Sequence, residues 1–249
     1  RFVHLIFSKI VAGMVFLVLL NQAGHAMPMV NASPLSEEQQ KLADVRHSYE
    51  IKVIDRLLEQ FHYKDYHLDD DLSRVILDNY LDSLDPARRF FTASDIEEIR
   101  KLETSFDDYI RRGVTAAYHS IFDIYRKRVE QRIDYALQRL EHTFNFALDE
   151  VYELDRSDSP WAADEAELES LWRKRIKNDL INLHLAEESN EQALDTLRKR
   201  YRGISRRSQQ IKDNDIFQIY INAYASAIEP HTGYFSPRAT EEFNISMRL

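Results

Sequence analysis

The sequence predicts an all-α protein: a multi-helix domain containing one long helix. Three observations carry that prediction. Only 5 of 249 residues are Gly and 6 are Pro, well below the ~7% and ~5% of average usage, so the turns that a many-stranded sandwich or barrel requires are missing. Apolar residues recur at spacings of three and four along most of the chain, the period of a helix with one buried face. The hydrophobic content of 44% suffices for a sizeable core in one large or two small domains.

The first 36 residues stand apart from this pattern. Arg1 and Lys9 bracket a basic start without acidic residues, residues 10–20 are an unbroken apolar run, and Ala23-Gly24-His25-Ala26 supplies small residues. That is the order of a secretory signal peptide, with cleavage expected after Ala26. The apolar run falls short of the ~20 residues that cross a bilayer. Export is therefore expected, with no stable membrane span after cleavage; the alternative is a signal anchor that keeps the protein membrane-associated. Residues 27–36 are expected to form a flexible leader, and the lack of an initiator Met suggests an incomplete start.

The helices are expected in the following order. Leu42, Val45, Tyr49, Val53, Leu57 and Phe61 make one apolar stripe. After a polar break over 62–71, Leu72, Val75, Ile76, Tyr80 and Leu84 make a second. It ends at Asp85-Pro86, because the proline ring disfavours helical backbone at the residue before it. Ser94 and Glu97 have capping-box spacing, ahead of a third helix through Ile96, Ile99, Phe106 and Ile110 that stops or kinks near Gly113. From Val114 through Tyr118, Ile121, Tyr125, Val129, Ile133, Leu137 and Leu140 to Phe144 the period holds for about 30 residues, longer than ordinary globular helices and suggestive of a strut or arm. Asp155-Arg-Ser-Asp-Ser-Pro160-Trp161 reads as a linker. Three helices follow over 164–186, 190–207 and 215–229, the last rich in small residues.

Several chemistries are excluded or weakened. With Cys 0 there is no disulfide, no thiolate nucleophile and no cysteine zinc site. A net charge of −9 disfavours nucleic acid as a partner. The His62, Asp65, His67, Asp69, Asp70 and Asp71 segment has the donor types of a metal loop but neither zincin nor EF-hand spacing, so the aspartates read as helix caps. Arg198, Lys199, Arg200, Arg202, Arg206 and Arg207 gather around Tyr201, yet Leu194, Leu197, Tyr201 and Ile204 form the buried face and leave the cations solvated. There is no nucleophile elbow and no convincing Ser, His and Asp set. No catalytic, cofactor-binding or metal-binding residue is assigned.

The most informative stretch is Glu229-Pro230-His231-Thr232-Gly233-Tyr234-Phe235-Ser236-Pro237, followed by Thr240, Phe243 and Asn244. It resembles the Asp-Pro-His-Thr-x-Tyr-Leu-Ser-Pro signature of carboxy-terminal processing peptidases, with Glu229 and Phe235 as class-preserving departures. Leu84-Asp85-Pro86, Phe90 to Ile96, Tyr152 to Ser157, and Pro160-Trp161 before Glu165 to Leu168 are similar to the tail-specific branch of that family in Gram-negative periplasms. The likeness runs from about Glu37 to Leu249.

The resemblance implies residues 37–228 as a helical amino-terminal domain and 229–249 as a signature loop entering a peptidase core. It implies a periplasmic serine endopeptidase that recognises substrates by exposed carboxyl termini, takes protein or peptide substrates and an adaptor, and uses no cofactor. The family's PDZ domain and Ser/Lys dyad would lie beyond Leu249. The unpunctuated end Met247-Arg248-Leu249 suggests a chain cut in mid-course, inactive alone. From the residues themselves, the His231 loop reads as structural: Pro230 and Pro237 fix backbone angles, Gly233 permits a left-handed turn, and His231 or Thr232 satisfies buried amides. A catalytic base at His231 is the sharper alternative. A competing reading of the whole chain is an exported helical adaptor or scaffold without catalysis.

Overall fold

Two buried apolar clusters divide the helices between them. The computed structural model describes residues 37–247; the expected signal peptide and leader lie outside the described residues. Among the described residues there are nine helices and no strand, as the all-α prediction requires, and no helix is long and apolar enough to cross a membrane.

The first cluster joins α1 (Glu37–Phe61), α2 (Asp70–Leu84), α3 (Ala93–Arg100), α4 (Phe106–Arg112), the start of α5 (Ala116–Arg139) and α8 (Asp213–Ile228). Its centre is aromatic: Tyr80, Phe106, Tyr118 and Tyr220 are almost wholly buried. Tyr118 stacks on Tyr220 with ring centroids 4.6 Å apart, and the Tyr80 hydroxyl donates to the Tyr118 carbonyl at 3.0 Å, which settles a polar group that burial would otherwise strand. The second cluster joins the end of α5 with α6 (Glu165–Leu185) and α7 (Asn190–Gln210) around Trp172, Ile176, Leu197 and Tyr201.

Helix α1 packs by a face other than the expected one. Leu42, Val45, Tyr49 and Phe61 are exposed, while Ala43, His47, Ile51, Ile54 and Leu58 are buried. Both sets have helical spacing, and the sequence carries apolar residues on two sides of this helix. Contact with α4 and α8 selects the second set.

The expected third helix is two. Leu102 and Ser105 amides close turns at 3.0 Å onto Ile99 and Leu102 carbonyls, so α3 ends before Phe106 begins α4. The capping box also sits two residues earlier than expected, on Thr92 and Asp95. Ser94 instead pairs its hydroxyl with that of Thr92 at 2.9 Å. Asp95 additionally takes a two-pronged bond from Arg128 of α5 at 2.8 and 2.9 Å, and this tertiary ion pair favours the earlier box. Gly113 caps α4 with φ +69, the left-handed conformation that suits glycine.

The long helix is shorter than predicted, ending at Arg139. Beyond it the Arg139 guanidinium donates to the His142 and Thr143 carbonyls at 3.2 and 3.1 Å and lies 3.9 Å over the Phe144 ring. Phe144 thus packs by chain reversal, which mimics a continuing helical stripe. Helix α5 is core rather than arm: Tyr118, Ile121 and Phe122 enter the first cluster, and Val129, Ile133 and Ala136 the second.

The 155–161 linker is docked: the Ala93 amide donates to the Ala162 carbonyl at 2.8 Å, and Trp161 meets Phe91 edge-on at 5.8 Å. Helices α6 to α8 form where the periodicity places them, with ends moved by a few residues. Residues after Ser236 are not loop but a further helix, α9 (Pro237–Met247), which Pro237 opens at the position where its missing N–H costs nothing.

Candidate functional site

The nonapeptide of the resemblance begins where α8 stops. Glu229 leaves the helix with φ −159 and ψ 130 while its amide still donates to the Ala225 carbonyl at 3.2 Å. Pro230 then prevents continuation. The Thr232 amide returns to the Glu229 carbonyl at 2.9 Å and closes a turn. Within that turn the Glu229 carboxylate accepts from the His231 amide at 2.8 Å and faces His231 Nδ1 at 2.6 Å. The His231 side-chain bond, against slight desolvation, holds the Glu229 carboxyl below its ordinary value.

Helices α1 and α8 and the segment between α1 and α2 hold this turn. Thr232, 7% exposed, faces His62 Nε2 at 3.0 Å and donates to Glu229 at 3.4 Å. Lys64 donates to the Ile228 carbonyl at 2.8 Å, placing a cation at the negative end of α8. Asn222 acts as a side-chain mimic of a strand edge: its Oδ1 accepts from the Tyr234 amide at 2.7 Å and its Nδ2 donates to the Tyr234 carbonyl at 3.2 Å. Gln218 accepts from the Ser236 amide at 3.3 Å. The Tyr234 ring meets Phe217 edge-on at 5.8 Å, and burial pushes its hydroxyl up to about 12. Phe235 is 43% exposed and pairs with Phe243 of α9 at 5.9 Å.

Two expectations about this loop are corrected. Gly233 is not left-handed; among the described residues the positive-φ glycine is Gly113. A Cβ at position 233 would meet only Asn222 Oδ1, at an ordinary 3.6 Å. Nor does a His231 or Thr232 side chain satisfy the loop's amides beyond the turn, which use Asn222 and Gln218 instead. The His231 ring stays 60% exposed and is engaged with a carboxylate. The Thr232 hydroxyl beside it is buried and doubly engaged.

A polar network lies beneath the loop. Tyr224 donates to Asp55 at 2.8 Å and meets the Tyr66 hydroxyl at 3.0 Å. Burial raises the Asp55 carboxyl, the Tyr224 bond pulls it back, and burial pushes Tyr66 up to about 12. The other motif of the resemblance is also buried: Asp85, 1% exposed, accepts from the amides of Arg89, Phe90 and Phe91 at 2.8, 2.8 and 3.1 Å.

The remaining candidates separate. In the 62–71 segment His62 is directed to Thr232, and Asp69 caps α2 by accepting from the Asp71 and Leu72 amides, as the capping reading expected. On α7, Leu197 and Tyr201 are buried, while Lys199, Arg200, Arg202, Arg206 and Arg207 stay exposed. Lys199 pairs with Asp195 at 2.7 Å and Arg200 faces Asp179 at 3.9 Å. The sequence reading missed one group: His47, His119 and Asp213 bring their donor atoms within 4.8 Å of one another. No local spacing could have found it, because each residue comes from a different helix.

The comparisons agree with this geometry. Residues 53–238 match the family described as Tail specific protease N-terminal domain, a span from within α1 to the opening of α9. Over 193 residues the chain is 40% identical to a protein named Tail-specific protease from Haemophilus influenzae, covering 77% of this chain and 28% of that relative. The chain therefore spans little more than a quarter of the relative it matches. With the Asp85 turn, the docked linker and the 229–237 loop all inside the matched span, the chain belongs to the family of tail-specific protease N-terminal domains.

Proposed function

We propose that this chain is the helical amino-terminal domain of a periplasmic serine endopeptidase that selects proteins by their carboxyl termini. In this reading the helices wall the route of an unfolded chain and offer a surface to an adaptor, and they carry no catalytic group. The family match over residues 53–238 carries the reading. The 28% share of the relative supports placing the chemistry elsewhere in the protein, and the charge pattern of residues 1–26 supports export. The loop of Glu229, Pro230, His231, Thr232, Gly233, Tyr234, Phe235, Ser236 and Pro237 has a structural role, since it ties the end of α8 to the segment after α1 and starts α9.

The test compares the chain with its reading frame continued past Leu249 to the natural stop. Both are incubated with casein and with a peptide ending in a free or an amidated apolar carboxyl terminus. The chain is expected to cleave neither. The continued protein is expected to cleave, and to prefer the free terminus. Cleavage by the chain that disappears on mutating one of its own residues would overturn the proposal. An inactive continued protein would favour the adaptor or scaffold reading.

A further inference from the structure

Three helices that are distant in sequence converge on one buried polar point. Helix α1 supplies Asp44 and His47, spaced so that both lie on one face. Helix α5 supplies His119, and Asp213 is the first residue of α8. His47 is 1% exposed and stacked on Phe217 with centroids 4.2 Å apart. Its Nδ1 lies 3.2 Å from Asp213 Oδ2, and His119 Nε2 lies 3.2 Å from Asp213 Oδ1 and 3.7 Å from Asp44 Oδ1. Despite these approaches, His119 Nε2 and Asp213 Oδ2 are both buried without a hydrogen-bond partner. Two orphaned polar atoms at one point are costly, and a single cation between them satisfies both.

The donor types narrow the ion. Two imidazoles with two carboxylates suit zinc and its neighbours, whereas calcium and magnesium require oxygen alone. Bonds of about 2.0–2.1 Å in a tetrahedron set neighbouring ligand atoms about 3.3 Å apart; each imidazole lies 3.2 Å from one oxygen of Asp213, His47 from Oδ2 and His119 from Oδ1, so the carboxylate turns to present a single oxygen to both. An outer shell is already in place. Gln40 donates to Asp213 Oδ1 at 3.3 Å and Asp44 Oδ1 at 3.5 Å, Thr115 donates to Asp44 at 3.4 Å, and Asn214 Oδ1 lies 3.0 Å from His47 Nε2. Two neighbours oppose the ion. The Tyr118 hydroxyl, 3.3 Å from His47 Nδ1, must yield that nitrogen. The Arg46 guanidinium bonds Asn214 and lies 3.2 Å from His47 Nε2, and the two carboxylates offset its charge.

We propose that His47, His119 and Asp213, with Asp44 swinging in from beside His119 as fourth ligand, form a closed tetrahedral site for one zinc-type divalent cation that staples α1 and α5 to the start of α8. Four protein ligands leave no open position, so the site is structural rather than catalytic.

The full chain, free of any histidine tag and stripped by chelator, is titrated with Zn²⁺ by calorimetry and with Co²⁺ by visible absorption. One equivalent should bind, Co²⁺ should give the intense bands of tetrahedral coordination, and saturating Zn²⁺ should raise the melting midpoint by about 5 °C or more. His119→Gln should weaken binding at least 100-fold while its melting in chelator stays native. Should that variant fail to fold, Asp44→Asn, at a half-exposed position, should weaken binding at least tenfold. Absence of binding, weak pale octahedral Co²⁺ absorption, or native affinity in the folded variants would each overturn the site.

Discussion

Replacing Asp85 by alanine should be among the most damaging changes a single exposed-looking turn residue can suffer. Its carboxylate is 1% exposed and receives three main-chain amides, those of Arg89, Phe90 and Phe91. These bonds hold a seven-residue turn in which Arg88 takes φ 48, a conformation that costs a non-glycine residue about 1 kcal/mol. Alanine leaves three donors without an acceptor. Each buried unsatisfied amide costs about 1–3 kcal/mol, and water can reach the half-buried pair at Arg89 and Phe90 more easily than Phe91. The expected loss is about 3–5 kcal/mol, a large share of the ~5–15 kcal/mol that holds a domain together. At about 2–4 °C per kcal/mol for a protein of this size, the melting midpoint should fall by about 10 °C.

The same site makes a second, sharper discrimination. Burial pushes the Asp85 carboxyl above its ordinary value, and the three amides only partly restore it. Asparagine, whose one oxygen can take two amides, should lose about half of what alanine loses. Thermal melts followed by circular dichroism, with hydrogen exchange at the Phe90 and Phe91 amides, measure both. An alanine variant melting within about 2 °C of the native chain, or an asparagine variant as unstable as alanine, would refute the reasoning.

Three further perturbations probe other parts of the molecule. Gly113→Ala should cost about 2–4 kcal/mol in a denaturant titration, since φ is +69 and the added carbon would sit 2.4 Å from the Ser48 carbonyl oxygen. Glu150, bonded to Arg173 at 2.9 and 2.5 Å and to Lys177 at 2.9 Å, is held down at about 2. A depressed carboxyl stabilises the fold above its ordinary value near 4.5, and that contribution disappears as pH falls toward 2. Glu150→Gln should therefore flatten acid unfolding over that window and cost about 1 kcal/mol at neutral pH, solvent screening included. In the continued protein, His231→Ala should leave kcat within about twofold; loss of turnover with an unchanged melting midpoint would instead make His231 the catalytic base.

Helix class and most helix ends were legible because they depend on local chemistry. Asp85-Pro86 ends α2, and Asp69 caps its start. What the sequence left unread depends on partners. Helix α1 has two apolar stripes, and only α4 and α8 decide that Ile51, Ile54 and Leu58 go inside. Two capping boxes overlap after Phe91, and only Arg128 on another helix favours Thr92 with Asp95. Of the two glycines expected to mark turns, Gly113 holds the left-handed backbone and Gly233 does not, because Asn222 already fixes the strand-like stretch at Tyr234. The His47, His119 and Asp213 cluster has no local pattern at all.

Helix α8 explains why the loop of the resemblance has a fixed place. Tyr220, Ile221 and Tyr224 bury its middle almost completely, against α1, α2 and α5. Both of its ends are also referred to α1: Asp213 faces His47 at one, and Lys64 and His62, just past α1, hold Ile228 and Thr232 at the other. A 16-residue helix clamped at both ends turns little, so residues 229–237 leave the first cluster in one direction. None of the described side chains of α9 enters either buried cluster, and Phe243, Ile245 and Met247 remain exposed. Among the described residues the two clusters draw nothing from α9, so the apolar surface of Phe243, Ile245 and Met247 lies outside both.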